Sequence, residues 1–149
     1  HPDGLRIFYT SFVDKDSANK ITNSEIFITD TTGSFHTRIT NRIGNDGAID
    51  ISPDGKTIAC HYFLKNKADI YTMDIDGHNI KQLTIDTLDS RWPRWTPDGK
   101  FIAYTRVAGN SDIWIMNKNG KDKQQLVTSP KRDEILQFKP QKRKTQRSK

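Results

Sequence analysis

The stretch "TPDGKFIAYT" at residues 96–105 decides the fold, because the chain contains it in three versions. The other two are "SPDGKTIACH" at residues 52–61 and "HPDGLRIFYT" at residues 1–10. In each version a Pro-Asp-Gly turn joins two extended segments. Proline presets φ, aspartate bonds back to the local backbone, and glycine permits a positive φ. A turn that recurs in this way indicates a repeat architecture.

The repeat includes more than this turn, because further elements recur at equivalent positions. A further β-prone run appears as "EIFITD" at 25–30, "DIYTMD" at 69–74 and "DIWIMN" at 112–117. Each unit then carries a glycine and closes on a threonine, and these residues are Gly33, Gly77 and Gly120, and Thr40, Thr84 and Thr128. The runs hold about four to seven residues, rich in Ile, Tyr, Phe and Thr, and none keeps a 3.6-residue period. We therefore predict an all-β fold of four-stranded antiparallel units with almost no helix.

These units resemble the β-propeller repeat of the TolB type, a WD-repeat-like family. The clearest match is "RWTPDGKFIAYTRVAGNSDIWIMNKNGKDKQQLVT" at residues 94–128. The first unit departs from the pattern, with Glu25 in place of the family's aspartate and a longer loop. The resemblance implies about three blades over residues 1–138. We predict that the units close near residues 40, 84 and 128 and that a final inner strand follows at 134–138.

The predicted strand count leaves two alternatives for the complete ring. The first unit starts at its turn, without an inner strand, whereas "EILQFKP" at 134–140 supplies one extra strand. Propellers have about four to eight blades, and those of the TolB type generally have six. We therefore expect either a homodimer, in which two chains complete a six-bladed ring, or a fragment of a longer propeller.

The charge of the chain is concentrated at its C-terminal end. The 24 Lys and Arg residues outnumber the 18 Asp and Glu residues, and the net charge is +6. Six of the basic residues and no acidic residue lie in "KPQKRKTQRSK" at 139–149, so the remaining chain is neutral. We expect a solvated, disordered tail, and the alternative is an electrostatic contact with an anionic partner. A neutral body argues against specific nucleic-acid binding, and no apolar run approaches the ~20 residues of a transmembrane segment.

The sequence predicts no catalytic residue, no metal site and no cofactor. None of the four histidines lies in a G-x-S-x-G or H-E-x-x-H motif. Cys60 and His61 are neighbours in a predicted strand, so their side chains point to opposite faces and cannot form a zinc pair; we expect a buried, inert thiol. We expect Asp69 and Asp112, which recur in register with Glu25, to bond to local loop backbone rather than to a metal.

The loops that connect the strands offer the best candidate binding surface. "SRWPRW" at 90–95 stands out among them, because Arg and Trp are enriched in binding hot spots. We predict a protein-binding site at Arg91, Trp92 and Arg94, to which Lys15 and Asp16 of the long first loop contribute. Trp95 is expected to pack between blades. The alternative interpretation of Trp92 is that it only covers its loop.

The resemblance implies a non-catalytic protein-interaction scaffold. Such a protein would be periplasmic or extracellular and would bind other proteins, although the chain shows no signal peptide. Two alternatives remain open. One is an accessory propeller domain of a larger hydrolase of the prolyl-oligopeptidase type, and the other is an adaptor that binds anionic partners through the basic tail.

Overall fold

The computed structural model describes residues 1–16 and 21–127, and all regular structure in these residues is β-strand. The all-β prediction is therefore confirmed. The strands are β1 (Arg6–Asp16), β2 (Ile21–Asp30), β3 (Thr37–Arg38), β4 (Asn45–Ile51), β5 (Thr57–Leu64), β6 (Lys67–Asp74), β7 (Lys81–Gln82), β8 (Asp89–Trp95), β9 (Phe101–Ala108), β10 (Asn110–Asn117) and β11 (Gln124–Val127). Within the described ranges no helix is long and apolar enough to cross a membrane.

The strands form three consecutive units, which we call blades. Blade 1 contains β1–β3, blade 2 contains β4–β7 and blade 3 contains β8–β11. Neighbouring strands within each blade pair antiparallel, and one parallel pairing, between Ser24 and Asn45, links blades 1 and 2. The predicted final strand at 134–138, the closing Thr128 and the tail at 139–149 lie outside the described residues.

The first hairpin is longer than the sequence predicts. β1 has 11 residues and β2 has 10, so the two strands include much of the segment expected to be a loop. The pairing continues from Arg6 to Asp16 with a register shift between Phe12 and Asp14. Continued pairing satisfies backbone donors and acceptors that a loop would leave to water.

The Pro-Asp-Gly turns are built as their residues predict. The Ser52 hydroxyl donates to the Asp54 carboxylate at 2.6 Å, and Thr96 donates to Asp98 at the same distance. Gly55 has a φ of 72°, a conformation that glycine adopts without steric cost. These turns place the end of one strand beside the start of the next.

An apolar cluster joins blades 2 and 3. Its members from blade 2 are Ala59, Ile70 and Leu83, and those from blade 3 are Trp95, Ile102, Tyr104 and Met116. Trp95 is only 6% exposed, so its predicted position between blades is confirmed. A Cβ at Gly120 would approach the Leu83 backbone to 3.1 Å, so glycine allows this close contact between the blades.

A second cluster joins blades 1 and 2. It contains Ile26 from blade 1 and Ile58, Cys60 and Met73 from blade 2. Burial raises the pKa of the Cys60 thiol to about 12, which keeps it protonated and unreactive. Because Ala59 faces blade 3 while Cys60 faces blade 1, the alternation predicted for this strand is confirmed.

Candidate functional site

Arg91 and Trp92, two of the predicted binding residues of β8, lie toward the end of the blades opposite the Pro-Asp-Gly turns, whereas Arg94 lies close to such a turn. β5 runs from such a turn to the tight turn at Lys65 and Asn66, and β8 starts beside this turn and runs back. We call the region around Arg91 and Trp92 the rim site. It lies where blade 2 meets blade 3.

Arg91 is held in place by a carboxylate that bridges the two blades. Its Nε donates to Asp89 Oδ2 at 3.1 Å, and the guanidinium carbon lies 5.5 Å from the ring centre of Phe63. The other Asp89 oxygen accepts from the backbone N–H of Ala68 at 3.1 Å. The Arg91 side chain remains 33% exposed, so it is both oriented and accessible to a partner.

Trp92 lies in a β-bulge with an unusual backbone conformation. The register of β8 with β9 shifts between Arg91 and Arg94, and Trp92 has a φ of 52°. A positive φ is rare for a bulky residue, and bulges often redirect a side chain beside a functional site. The Trp92 N–H donates to Nδ1 of His61 at 3.5 Å, which ties the bulge to blade 2.

His61 completes the rim site, although sequence reasoning did not place it there. Burial and the positive charge of Arg91 lower the pKa of His61 to about 4, with Asp89 opposing them. The neutral imidazole can therefore accept the Trp92 hydrogen bond. His61 pairs with Gly47, where a Cβ would lie 2.7 Å from Nε2. Because Gly47 has no side chain, it leaves room for the imidazole of His61 on the neighbouring strand. This glycine is the feature of the sequence that could have indicated that contact.

The other predicted site residues lie apart from this group. Arg94 extends toward the inner strand of blade 2, where its Nη1 donates to the Ile49 carbonyl at 3.3 Å. Lys15 and Asp16 are the last residues of β1 and pair with Thr22 and Ile21. The structure therefore brings Arg91 and Trp92 together and assigns Arg94 an inter-blade contact.

Two of the three carboxylates that recur in register, Asp69 and Glu25, form local hydrogen bonds. Asp69 accepts from the Thr84 hydroxyl at 2.9 Å, and the Thr84 oxygen in turn accepts from the Ile70 N–H at 2.9 Å. Glu25 accepts from the backbone N–H of Arg42 at 2.8 Å. These bonds fix β2 and β6 to the segments that follow the short outer strands β3 and β7. In the part of the chain that the structure describes, no three His, Cys, Asp or Glu side chains converge as metal ligands.

Comparison with known proteins gives consistent matches. The family model described as "TolB beta propeller domain" matches residues 1–145. The chain is 35% identical over 118 residues to the Tol-Pal system protein TolB of Blochmanniella pennsylvanica, covering 76% of this chain and 22% of that protein. It is 32% identical over 91 residues to dipeptidyl-peptidase 5 of Porphyromonas endodontalis, covering 56% of this chain and 13% of that protein.

A solved structure supports the same fold. The TolB crystal structure from Acinetobacter baumannii superimposes with a TM-score of 0.70 at 29% identity, covering 85% of this chain and 30% of that one. The chain thus spans between 13% and 22% of the length of the two curated relatives.

Proposed function

Because the chain belongs to the TolB beta propeller domain family, we propose that it is a non-catalytic scaffold that binds a partner protein at the rim site. The observation that carries this proposal is the bracing of Arg91 by Asp89 beside the bulged Trp92. Side chains that are already oriented lose less conformational entropy when they bind. The rim site therefore offers an Arg–Trp pair that is suited to a binding hot spot.

We further propose a periplasmic or cell-envelope location and other proteins as partners. The support is the similarity to a relative named as a protein of the Tol-Pal system. The absence of net charge over residues 1–138 is consistent with a protein partner rather than nucleic acid.

Substitution at the rim site tests the scaffold function. Arg91→Ala and Trp92→Ala should weaken partner binding by about 2 kcal/mol while leaving the unfolding midpoint nearly unchanged. Binding of cell-envelope proteins to immobilised wild-type and variant chains would be measured, with Lys65→Ala at the neighbouring exposed turn as the control. Equal retention of the same proteins by the wild type and both variants would reject the rim site.

The second candidate function is that of an accessory propeller in a larger hydrolase. The similarity to dipeptidyl-peptidase 5 favours it. A G-x-S-x-G motif in the gene product beyond residue 149 would support this alternative. A third candidate, an adaptor that acts through residues 139–149, predicts binding that weakens steeply with salt.

We also propose how chains assemble into a ring, on the basis of the face of blade 1 that points away from blade 2. Ile7 is 46% exposed, whereas its equivalents Ile58 and Ile102 are 0% exposed against a preceding blade. This difference supports a further blade beside blade 1, supplied by a second copy in a homodimer. Light scattering should then give twice 17.1 kDa, and deletion of residues 134–149 should abolish the dimer. A monomer would favour a segment of a longer propeller instead.

A further inference from the structure

The end of the blades that carries the rim site also carries the three most exposed large apolar side chains of the described residues. Ile85 is 80% exposed, Phe12 75% and Ile43 70%. We call this end the rim end. A single exposed apolar side chain is ordinary, whereas several at one end indicate a contact surface. Neighbouring blades of a propeller cover the faces of a blade rather than its ends, so a complete ring would leave these three side chains exposed.

The three apolar side chains lie on separate segments of the rim end. Phe12 pairs with Ser24 in the first hairpin, and the Ser24 N–H donates to the carbonyl of Gly44, the residue after Ile43, at 3.3 Å. These two apolar residues therefore lie at the junction of blades 1 and 2. Ile85 lies between β7 and β8, at the junction of blades 2 and 3. Because each side chain is at least 70% exposed, the three project separately and do not line a groove.

The propeller repeat does not require apolar residues at two of these positions. Alignment of the units places Thr87 at the position of Ile43 and Asn41 at the position of Ile85. The equivalent residues in the neighbouring units are thus polar. Packing between blades therefore does not explain why Ile43 and Ile85 are apolar.

Phe12 is exposed because the residue that covers its equivalent is absent. Phe63 occupies the same position in blade 2, and the Arg91 guanidinium carbon lies 5.5 Å from the centre of its ring. The position that corresponds to Arg91 in the inner strand of blade 2 is Gly47. A glycine cannot cover the Phe12 ring, which leaves the ring available for a contact.

The carboxylates at the two ends of the blades differ in exposure. At the end opposite the rim end, exposed aspartates lie in or beside the hairpin turns, and these residues are Asp54, Asp74, Asp76, Asp98 and Asp122. At the rim end the carboxylates lie beneath basic side chains. Arg38 is 33% exposed above Glu25 at 0%, and Lys67 is 30% exposed above Asp69 at 12%.

Most of the other ion pairs at the rim end have the same orientation. Arg42 and Arg91 are also more exposed than Asp46 and Asp89, whereas the Arg106–Asp86 pair has the reverse order. Lys65, in the tight turn between β5 and β6, is exposed and forms no ion pair within residues 1–16 and 21–127. The rim end therefore presents basic groups outward, and the opposite end presents acidic groups.

We propose that the rim end binds the surface of an anionic lipid bilayer, which goes beyond the protein binding proposed for the rim site. Phe12, Ile43 and Ile85 enter the boundary between headgroups and acyl chains, and Lys65 and Lys67 lie beside lipid phosphates. Interfacial binding gains from buried apolar area and from attraction between basic residues and anionic lipids. A fluid surface accepts separate projections independently, whereas a folded partner needs a complementary cavity for each.

Cosedimentation of the chain with vesicles tests this proposal. The probes are vesicles of phosphatidylcholine with about 30% phosphatidylglycerol and vesicles of phosphatidylcholine alone. The anionic vesicles should bind the chain at least about tenfold more tightly than the neutral ones, and this binding should weaken with added salt. Binding to neither kind of vesicle, or equal binding to both, overturns the proposal.

Paired apolar variants locate the contact. Replacing Ile43→Ser and Ile85→Ser together should weaken binding to the anionic vesicles about tenfold, because it removes apolar area that the bilayer buries. The control combines Leu5→Ser and Ile80→Ser, which remove exposed apolar side chains from the opposite end and should leave binding unchanged. Unfolding midpoints of both double variants should match that of the wild type. An equal loss of vesicle binding in the two overturns the rim end as the site.

Charge variants separate the rim end from the basic tail. Lys65→Glu should weaken binding about threefold to tenfold, whereas Lys56→Glu, in a Pro-Asp-Gly turn at the opposite end, should not. Loss of vesicle binding on deletion of residues 139–149, with full binding retained by the variant that lacks Ile43 and Ile85, overturns the proposal in favour of the tail. The vesicle assay contains no partner protein, so its failure and the failure of the rim site are distinguishable.

Discussion

The two interfaces between blades are built from the same repeat but are closed by different chemistry. Between blades 2 and 3 the large ring of Trp95 fills the interface as part of an apolar cluster. Between blades 1 and 2 the equivalent position is the smaller Ile51, and a polar pair lies nearby, in which Arg42 donates to Asp46 through Nε at 3.1 Å. The hairpins of the repeat are therefore the same in each unit, whereas the side chains that fill the two interfaces differ.

The polar pair is shielded by aromatic rings. The Arg42 guanidinium carbon lies 3.9 Å from the ring centre of Tyr62 and 5.2 Å from that of Tyr71. Burial raises the pKa of Asp46, and the contact with Arg42 opposes that rise. A buried ion pair of this kind adds little net stability, yet the loss of one partner leaves an uncompensated charge. The two interfaces should thus respond differently to substitution.

The largest expected effect is at the apolar interface. Trp95→Ala should lower the free energy of unfolding by about 3–5 kcal/mol, because it leaves a cavity between the blades. Ile51→Ala, at the equivalent but partly buried position, should cost about 1–2 kcal/mol. Urea unfolding of both variants measures the difference. A larger loss for Ile51→Ala would show that the interface of blades 1 and 2 is the more tightly packed.

The next effect is at the Arg42–Asp46 pair beside the interface of blades 1 and 2. Arg42→Met should cost about 2–3 kcal/mol, because it leaves the buried Asp46 carboxyl without its partner. The control is Arg6→Met, which removes an exposed pair with Asp3 and should cost less than about 1 kcal/mol. Equal losses in urea unfolding would mean that the Arg42–Asp46 pair behaves as a surface contact.

The local elements of the fold are predictable from the sequence because their causes are local. The turn at residues 52–56 and the strand that follows depend on proline, aspartate, glycine and β-branched residues within ten positions. The inward position of Trp95 follows from the repeat register. Such features can be predicted by aligning one repeat unit with the next.

The composition of the rim site could not be predicted in the same way. His61 and Trp92 are 31 residues apart and meet only because β8 bulges between Arg91 and Arg94. The alternation of side chains along a regular strand does not predict where a β-bulge occurs. It therefore could not predict that Arg91 and Arg94 have different surroundings. Their separate roles depend on tertiary packing, and the binding function of both remains a prediction.

The smallest expected effect concerns His61, a polar side chain at the rim of the apolar interface. Its folded pKa of about 4 lies below the ordinary value of 6.5, so the unfolded chain binds more protons between these values. Stability contributed by the neutral imidazole is therefore complete above pH 6.5 and is lost as the pH falls toward 4. Urea unfolding at pH 7.5 and at pH 5 should differ by about 2 kcal/mol from this group alone. His61→Gln should remove that part of the pH dependence, whereas His78→Gln, on an exposed turn, should retain it. An unchanged pH dependence in His61→Gln would mean that His61 is hydrated and charged at pH 5, and that blades 2 and 3 do not exclude water at the rim.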